Sequence, residues 1–210
     1  MEGRNYARSK RDDGVKGMIA IVDCGTGNLA SVENAFRSLG ADASIASAPE
    51  QIQKAQRIVL PGVGSFGYFM EQLRANGLEA PIKKAIAQKK PYLGICLGMQ
   101  VLFEKSAESP GVEGLGVFAG EVVKFRAQKV PQVGWNRVLP ARKGILKEGY
   151  AYFTNSYYCK PREDGRIAAR SDYSGKFACG VEKENIFAVQ FHPERSGKYG
   201  LELLRRWVEC

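Results

Sequence analysis

Continuous apolar runs alternate with helical spacings of apolar residues along the first half of the chain. Strands are predicted at residues 18–24, 41–47, 57–61 and 91–96, and the first is a continuous apolar run typical of a strand buried on both faces. Helices are predicted at residues 28–40 and at about 66–75, 79–88 and 97–105. This alternation predicts a parallel sheet with helices on both of its faces.

The pattern changes beyond residue 115, where short strand-like segments follow one another. They are GVFAGEVVKFR, YAYFTNSYY, KFACGVE and IFAVQF, and a helical segment, KYGLELLRRWVE, follows them. The predicted fold class is therefore α/β: an open, mostly parallel twisted sheet flanked by helices, with an antiparallel extension. In open sheets of this kind, functional sites lie at the carboxyl ends of the strands.

The first residues, MEGRNYARSKRDDGVKG, show neither pattern and lack the apolar core of a secretory signal. We predict a disordered N-terminal extension over residues 1–17 and one domain over residues 18–210. Hydrophobic residues make up 44% of the chain, as in ordinary globular proteins. No apolar run approaches the roughly 18 residues that a membrane-spanning helix needs, so no membrane association is expected.

The chain carries a net charge of +9, from 31 basic and 22 acidic residues. Such an excess would suit a nucleic-acid partner, but the basic residues are scattered along the sequence and acids lie among them elsewhere. Scattered charge is typical of solvated faces, or of a surface that complements an acidic protein. We therefore expect no nucleic-acid partner.

Cysteine and histidine counts limit the chemistry further. The five cysteines form no C-x-x-C pair, and the chain has a single histidine. One histidine leaves too few nitrogen ligands for a zinc site, and an odd number of cysteines argues against a disulfide framework. We expect a reducing, cytoplasmic compartment and neither a metal nor a cofactor.

Two glycine loops match the spacing of a dinucleotide-binding fingerprint: Gly25–Ala30 after the first strand and Gly62–Gly67 after the third. A dinucleotide site needs an acidic residue about 20 positions later, at the end of the next strand. Ser47 occupies that place after the first loop, and residues 83–90 contain no acid after the second. Plain strand-to-helix turns explain the first loop, and a nucleotide or nucleic-acid binder stays the weaker alternative. The second loop needs another explanation.

The segment GICLG places Cys96 at a strand-to-helix turn between Gly94 and Gly98. A nucleophile elbow needs small residues at those two positions, because side chains there would collide in so tight a turn. A helix that begins near Leu97 would direct its positive end at the sulfur and favour the thiolate. Cys96 is therefore a candidate nucleophile, and a small buried structural cysteine is the alternative.

The only histidine, His192, follows the last apolar strand in the segment FHPE. Pro193 favours an extended backbone at His192, and residues two apart in an extended segment face the same side. Glu194 can then hold one imidazole nitrogen while the other serves the thiol. The order of roles is that of a catalytic triad, with Cys96 as nucleophile, although a lone histidine can also be structural.

Acyl transfer at Cys96 would also require backbone N–H donors for the oxyanion. The amide of Leu97 is expected to supply one of them. Gly62 and Gly64 allow the neighbouring strand-end loop to approach closely or to flip a peptide, which a residue with a Cβ would resist. The second glycine loop thus favours a tetrahedral intermediate over a phosphate as its anion.

The segments GICLGMQ and FHPE together resemble the class I glutamine amidotransferase family, and the resemblance covers residues 18–210. It implies a flavodoxin-like form of the predicted sheet. Within the family, LPGVGSFG, PQVGWN, YFTNSYY and QFHPERSG resemble the glutaminase subunits of imidazole glycerol phosphate synthase, in histidine biosynthesis. The anthranilate and carbamoyl-phosphate branches favour P-G-P-G or N-G-P-G at the loop that here is Pro61–Gly64.

This resemblance implies glutamine as the substrate, hydrolysed at Cys96 through a γ-glutamyl thioester. It also implies a heterodimer with a (β/α)₈-barrel cyclase subunit, which receives the ammonia and forms imidazole glycerol phosphate and aminoimidazole carboxamide ribotide. By position in the motifs, amide donors near Val63 and Gly64 complete the oxyanion hole. Another class I amidotransferase subunit, or a stand-alone γ-glutamyl cysteine hydrolase, is the alternative.

The resemblance further implies the residues that hold glutamine. Gln100 and Glu108 should bind its amino-acid end, and the backbone of Ser156 and Tyr157 its carboxylate. Gln100 as a solvent-facing helix residue and Glu108 as an ordinary loop acid are the alternatives.

Three residues are candidates for the partner interface: Trp135, Tyr152 and Arg195. They are of the aromatic and arginine types that anchor protein interfaces, and all are predicted near the strand ends around the site. For Trp135, a place in the hydrophobic core is the alternative.

Overall fold

The computed structural model of the chain describes residues 17–25 and 27–210. The extension predicted over residues 1–17 lies outside the described residues, apart from Gly17. Within the described ranges the helices are α1 (Leu29–Ser38), α2 (Pro49–Lys54), α3 (Phe66–Ala75), α4 (Glu79–Ala87), α5 (Leu97–Gln100) and α6 (Gly197–Val208). The strands are β1 (Ile19–Val22), β2 (Ala43–Ala46), β3 (Arg57–Gly62), β4 (Tyr92–Cys96), β5 (Phe103–Ser106), β6 (Phe118–Lys124), β7 (Gln132–Pro140), β8 (Gly149–Asn155), β9 (Tyr157–Pro161), β10 (Ile167–Asp172), β11 (Lys176–Lys183) and β12 (Ile186–Val189).

Five strands form the parallel half of the sheet, in the order β2-β1-β3-β4-β12. Every residue of β1, β4 and β12 is buried, which explains why these strands are apolar runs without alternation. The predicted parallel sheet is confirmed. Because β4 and β12 are direct neighbours, the residues at their carboxyl ends lie side by side.

Helices cover both faces of this half. On one face α1 and α6 pack together, with the rings of Phe36 and Trp207 in edge contact at 5.9 Å. On the other face α2, α3 and α4 bury Ile52, Phe69 and Ile82 against the sheet. The helices on both faces are those that the apolar spacing predicts, except for the short α2.

The antiparallel extension begins at β11, which pairs with β12, and continues through β10, β7 and β8. A branch of β9, β6 and β5 joins at β11. The predicted mixed architecture is therefore confirmed as well. No helix among the described residues is long and apolar enough to cross a membrane.

The helix predicted at residues 97–105 is wrong beyond Gln100. The chain leaves the helix at Val101 and forms β5, which pairs in parallel with β6. Leu115 N donates to Val101 O at 2.7 Å, and Val117 N donates to Leu102 O at 2.8 Å. These long-range backbone bonds compete successfully with a local helical preference.

Besides β5, three elements were not predicted: α2, β7 and β10. The six residues of α2 are too few to show a helical period. In β7, Gln132 and Val138 are buried but Val133 and Trp135 are exposed, so its apolar positions do not mark the buried face.

Candidate active site

Cys96 ends β4 in a strained backbone conformation, with φ of 55° and ψ of −108°. A residue with a Cβ seldom adopts a positive φ, and such strain is concentrated at functional sites. Leu97 begins α5 immediately afterwards, so the chain turns sharply at the sulfur. Because α5 is a single turn of four residues, its dipole supports the thiolate less than the longer predicted helix would.

The glycines beside Cys96 are required by close backbone contacts. A Cβ added at Gly98 would lie 1.7 Å from the carbonyl oxygen of Leu60, and one added at Gly94 would lie 2.5 Å from that of Gly98. Neither carbonyl can move without displacing its strand or turn. The elbow geometry thus explains the residues on which the prediction rested.

His192 lies just beyond β12, beside the end of β4. Its backbone is fixed by hydrogen bonds: His192 N donates to Tyr152 O at 3.0 Å, and Ser196 Oγ donates to His192 O at 2.6 Å. Its φ of −101° and ψ of 97° are extended, as expected before Pro193. Cys96 and His192 therefore stand at neighbouring strand ends.

Glu194 holds the imidazole of His192. The Nδ1 of His192 and the Oε1 of Glu194 are 2.8 Å apart, with 5% and 4% of the two side chains exposed. Glu194 reaches back through a 3-10 turn at Pro193–Arg195, where an extended segment was predicted. The contact is the expected one, although the backbone that makes it is different.

The charges around His192 favour its protonated form. Burial opposes the imidazolium, but the Cys96 thiolate and the hydrogen-bonded Glu194 carboxylate outweigh it and raise the pKa of His192 to about 10. The Nε2 atom is buried, and the Cys96 side chain favours a proton on it, since Nδ1 is held by Glu194. Nε2 is therefore available to pass a proton to a bound substrate.

Gln190 is a further residue of the site that the sequence reasoning missed. It is fully buried, and its Nε2 donates to the Cys96 sulfur at 3.6 Å. The predicted apolar strand IFAVQF contains Gln190, and its position two residues before His192 was the available signal, since residues two apart in an extended segment face the same side.

The loop after β3 approaches the nucleophile closely. Gly62 is the register partner of Cys96, and a Cβ there would lie 2.4 Å from the ring of Phe69. Within the described chain, the N–H groups of Val63 and Gly64 make no backbone hydrogen bond. They are free donors, as an oxyanion hole requires, and Gly64 has a φ of +104° in open space.

A cavity of about 60 Å³ lies between this loop and the His192–Glu194 pair, lined in part by Gly62, Val63, His192 and Glu194. A larger cleft of about 810 Å³ lies along β6 and β9, where Phe125 and Tyr158 line it, and contains no triad residue. The triad geometry, rather than cleft size, therefore locates the candidate site.

The predicted glutamine-binding residues occupy two places. Gln100 is buried beside Cys96, and its Nε2 donates to Tyr157 O at 3.1 Å, so it does not face solvent. Glu108 lies at the start of α3, where its Oε2 accepts from Phe66 N at 2.7 Å. Ser156, half-buried, precedes Tyr157 and accepts a hydrogen bond from Phe125 N. Their roles toward glutamine stay predictions.

The three predicted interface residues form one cluster. Trp135, 58% exposed, contacts Tyr152 edge-on at 6.3 Å between ring centroids, and the guanidinium of Arg195 stacks on Tyr152 at 4.4 Å. The alternative that Trp135 belongs to the core is therefore wrong. Val133 on β7 and Tyr150 on β8 are also exposed.

Comparisons with known proteins agree with this geometry. A model of the glutamine amidotransferase class-I family matches residues 20–209. The imidazole glycerol phosphate synthase subunit HisH of Methanothermobacter thermautotrophicus is 47% identical over 197 residues, covering 91% of this chain and 98% of that protein. The subunit HisH of Pyrococcus furiosus is 49% identical over 199 residues, covering 90% and 97%.

Solved structures share the fold at low sequence identity. A crystal structure of a glutamine amidotransferase has a TM-score of 0.75 and 19% identity, covering 90% of this chain and 97% of that one. The structure of PurLQS from Thermotoga maritima has a TM-score of 0.71 and 17% identity, covering 91% and 97%. Because the family model spans nearly all of the described residues, the chain belongs to the class-I glutamine amidotransferase family.

Proposed function

We propose that the chain is the glutaminase subunit of imidazole glycerol phosphate synthase, with residues 18–210 as its single amidotransferase domain. The observation that carries the chemistry is Cys96 on a strained elbow beside the His192–Glu194 pair. The HisH relatives, similar along nine-tenths of the chain, support the assignment to this synthase.

In the first half-reaction the Cys96 thiolate attacks the γ-carboxamide carbon of glutamine. A C–S bond forms, and the carbonyl π electrons move onto oxygen, where the N–H groups of Leu97 and of the loop at Val63 and Gly64 stabilise the charge. The C–N bond then breaks as His192 Nε2 gives its proton to the leaving nitrogen. Ammonia and a γ-glutamyl thioester result.

In the second half-reaction the neutral His192 takes a proton from water. The resulting hydroxide adds to the thioester carbonyl, the C–S bond breaks and the sulfur leaves as thiolate. Glutamate is released with its carboxyl proton lost to solvent, and the protonated His192 beside the Cys96 thiolate is restored. Glu194 keeps the ring oriented through Nδ1 in both halves.

The glutamine pocket is proposed to lie between Glu108 and the Ser156–Tyr157 segment, next to Gln100. Within the described residues, only Oε2 of the Glu108 carboxylate is engaged, by the N–H of Phe66. Its Oε1 is available for the substrate ammonium group. The backbone at Ser156 and Tyr157 is proposed to bind the substrate carboxylate.

The cluster of Trp135, Tyr152 and Arg195 is the proposed docking site of the cyclase partner. The exposed Trp135, beside the half-buried Tyr152 with its stacked arginine, resembles the anchors of protein interfaces. The cluster adjoins the active site, because Tyr152 O accepts from His192 N at 3.0 Å. A (β/α)₈-barrel cyclase docked there would receive ammonia without its release to bulk water.

The proposed compartment is the cytoplasm. Cys96, Cys159, Cys179 and Cys210 form no disulfide, and the first three of them are buried, so these positions need no oxidising environment.

The test is to purify the chain with a candidate barrel cyclase and to measure glutamate formation from glutamine. Three samples are compared: the chain alone, the complex, and the complex with the cyclase's nucleotide substrate. We expect low turnover alone and strong activation in the third sample, because a glycine in open space at position 64 allows its peptide to flip and form the oxyanion hole on demand.

Full turnover without a partner would instead favour a stand-alone cysteine hydrolase. Activation by a different synthase, but not by the cyclase, would favour another class I amidotransferase subunit.

A further inference from the structure

Gln190 connects the proposed nucleophile to the substrate-binding segment. It is fully buried between β12 and His192, and its backbone N donates to Cys179 O at 2.9 Å. Its Nε2 donates a hydrogen bond to the Cys96 sulfur, at 3.6 Å. Neither the triad nor the oxyanion hole uses this contact.

A second amide fixes the other end of Gln190. Its Oε1 accepts from Gln100 Nε2 at 2.9 Å, and the same Gln100 nitrogen donates to Tyr157 O at 3.1 Å. Three hydrogen bonds therefore run in series from the Tyr157 carbonyl to the sulfur. Gln100, Gln190 and Cys96 are all buried, so both side-chain amides and the sulfur are shielded from water. Tyr157 is half-buried.

This series determines which end of Gln190 faces the sulfur. The backbone carbonyl of Tyr157 is an acceptor only, so Gln100 must present its NH₂ group there. The second hydrogen of that NH₂ is donated to Gln190, which must present its oxygen in return. The NH₂ of Gln190 is then left facing Cys96. A flipped amide would leave buried donors and acceptors unpaired, at a large cost.

We propose that Gln190 is a positioning residue for the nucleophile: it donates an N–H to the Cys96 sulfur, in an orientation that Gln100 fixes. The role of Gln190 in catalysis rests on the proposed glutaminase function. Its effect on the charge of the Cys96 sulfur does not depend on that function. Gln100 then has a role beside the predicted contact with glutamine.

The role of Gln190 differs from that of His192. The imidazole exchanges its proton with the substrate, whereas an amide cannot lose its hydrogen and remains a donor throughout. A donor to sulfur favours the charged thiolate over the neutral thiol before attack. It also favours expulsion of the thiolate when water attacks the thioester, because the charge returns to the same atom.

The test is the rate at which iodoacetamide alkylates Cys96 as a function of pH. The full-length chain carries Cys210→Ser, since Cys210 is exposed, and the modified Cys96 peptide is quantified by mass spectrometry. Gln190→Met keeps the side-chain volume and removes the donor, so alkylation at pH 7 should be about tenfold slower and its pH profile should move upward. An unchanged profile would overturn the inference.

Gln190→Glu is the second variant and keeps the shape of the side chain. It places an acceptor beside the sulfur, so its alkylation at pH 7 should be slower still. If Gln190→Met does not fold, this variant decides, and alkylation at the wild-type rate would refute the role.

Tyr92→Phe is the matched control for loss of a buried hydrogen bond near the elbow. Tyr92 is fully buried on β4, and its hydroxyl donates to Gly98 O at 3.1 Å without contacting the sulfur. Its alkylation profile should stay within about twofold of the wild type. Equal slowing in Tyr92→Phe and Gln190→Met would show a structural effect and overturn the inference.

Gln100→Met separates the two roles of Gln100. Alkylation involves no glutamine, so it should slow if Gln100 orients Gln190, and it should not change if Gln100 only binds substrate. Failure of this inference and failure of the proposed function are distinguishable. If the Gln190 variants are alkylated at the normal rate and the wild-type complex hydrolyses glutamine, only the inference is rejected. If the variants are alkylated slowly and the wild-type complex does not hydrolyse glutamine, only the proposed function is rejected.

Discussion

At the scale of single residues, the site depends on the electrostatic interactions among three buried groups: the Cys96 sulfur, the His192 imidazole and the Glu194 carboxylate. His192 lies between the Cys96 sulfur and the Glu194 carboxylate, and both favour its proton. Gln190 touches the sulfur from another direction and carries no charge. Because His192 is the only histidine of the chain, its protonation can be observed without assignment of other rings.

Replacing Cys96 by alanine should lower the pKa of His192 clearly below its value of about 10. The thiolate is the largest of the influences that raise this pKa, and without it the effect of burial, which lowers the pKa, is offset by Glu194 alone among the described residues. An NMR titration of the imidazole measures this. The wild-type ring should stay protonated at pH 8, and the ring of Cys96→Ala should lose its proton at a lower pH.

The sign of the stability effect follows from the same shift. An unfolded histidine titrates near pH 6.5, so the stabilisation from the bound proton is full below about pH 6.5 and is lost as the pH rises through about 10.

Identical NMR titrations of the imidazole in the wild type and in Cys96→Ala would show that the sulfur does not act on His192.

Sequence reasoning identified the triad residues but not Gln190. The glycines around Cys96 and the uniqueness of His192 are visible in the sequence. Gln190 is marked in the sequence only by its position two residues before His192, because its role arises where it meets Cys96 and Gln100 across the fold.

At the scale of elements, the turn from β4 to α5 determines the position of the sulfur. Gly98 packs against the backbone of β3, and this contact brings the loop after β3 next to Cys96. The elbow and the proposed oxyanion loop therefore depend on the same close approach.

Gly98→Ala should destabilise the protein by about 3 kcal/mol, because the new Cβ would lie 1.7 Å from the Leu60 carbonyl oxygen and β3 would have to move. Urea unfolding measures the loss. Gly165→Ala is the control: a Cβ there meets nothing within 4 Å, so its effect should stay within about 0.5 kcal/mol. Equal stabilities of the two variants would refute the packing argument.

The helices and strands were predictable where the local sequence of a segment determines its structure. Strands buried on both faces and amphipathic helices such as α6 carry clear patterns. The segment after Gln100 was mispredicted because β5 forms by pairing with β6, which begins at Phe118. The sequence around β5 contains no pattern that indicates pairing with a strand so far along the chain.

At the scale of the whole molecule, the sheet order brings together residues that are distant in sequence. Parallel pairing of β4 with β12 places Cys96 next to the segment of His192. The hairpin of β7 and β8 adds an exposed aromatic cluster at the same place, with Trp135 and Tyr152 as register partners. The proposed active site and docking site are therefore adjacent.

Trp135→Ala should weaken binding of the cyclase partner by about 2 kcal/mol, or about thirtyfold in Kd, because an exposed aromatic anchor is lost. Calorimetry or surface plasmon resonance measures the affinity. Ile45→Ala is the control, since Ile45 is exposed on β2, at the opposite edge of the sheet. Its affinity should match the wild type, and equal affinity of Trp135→Ala would exclude this docking face.

The most direct test of the account is product formation by the complex of the Cys96→Ala chain with its cyclase partner, supplied either with glutamine or with ammonium. We predict that glutamine-driven formation of imidazole glycerol phosphate falls by about 10³-fold or more, while ammonium-driven formation continues at the wild-type rate. Glutamine-driven synthesis near the wild-type rate would contradict the account, because the proposed chemistry has no other nucleophile.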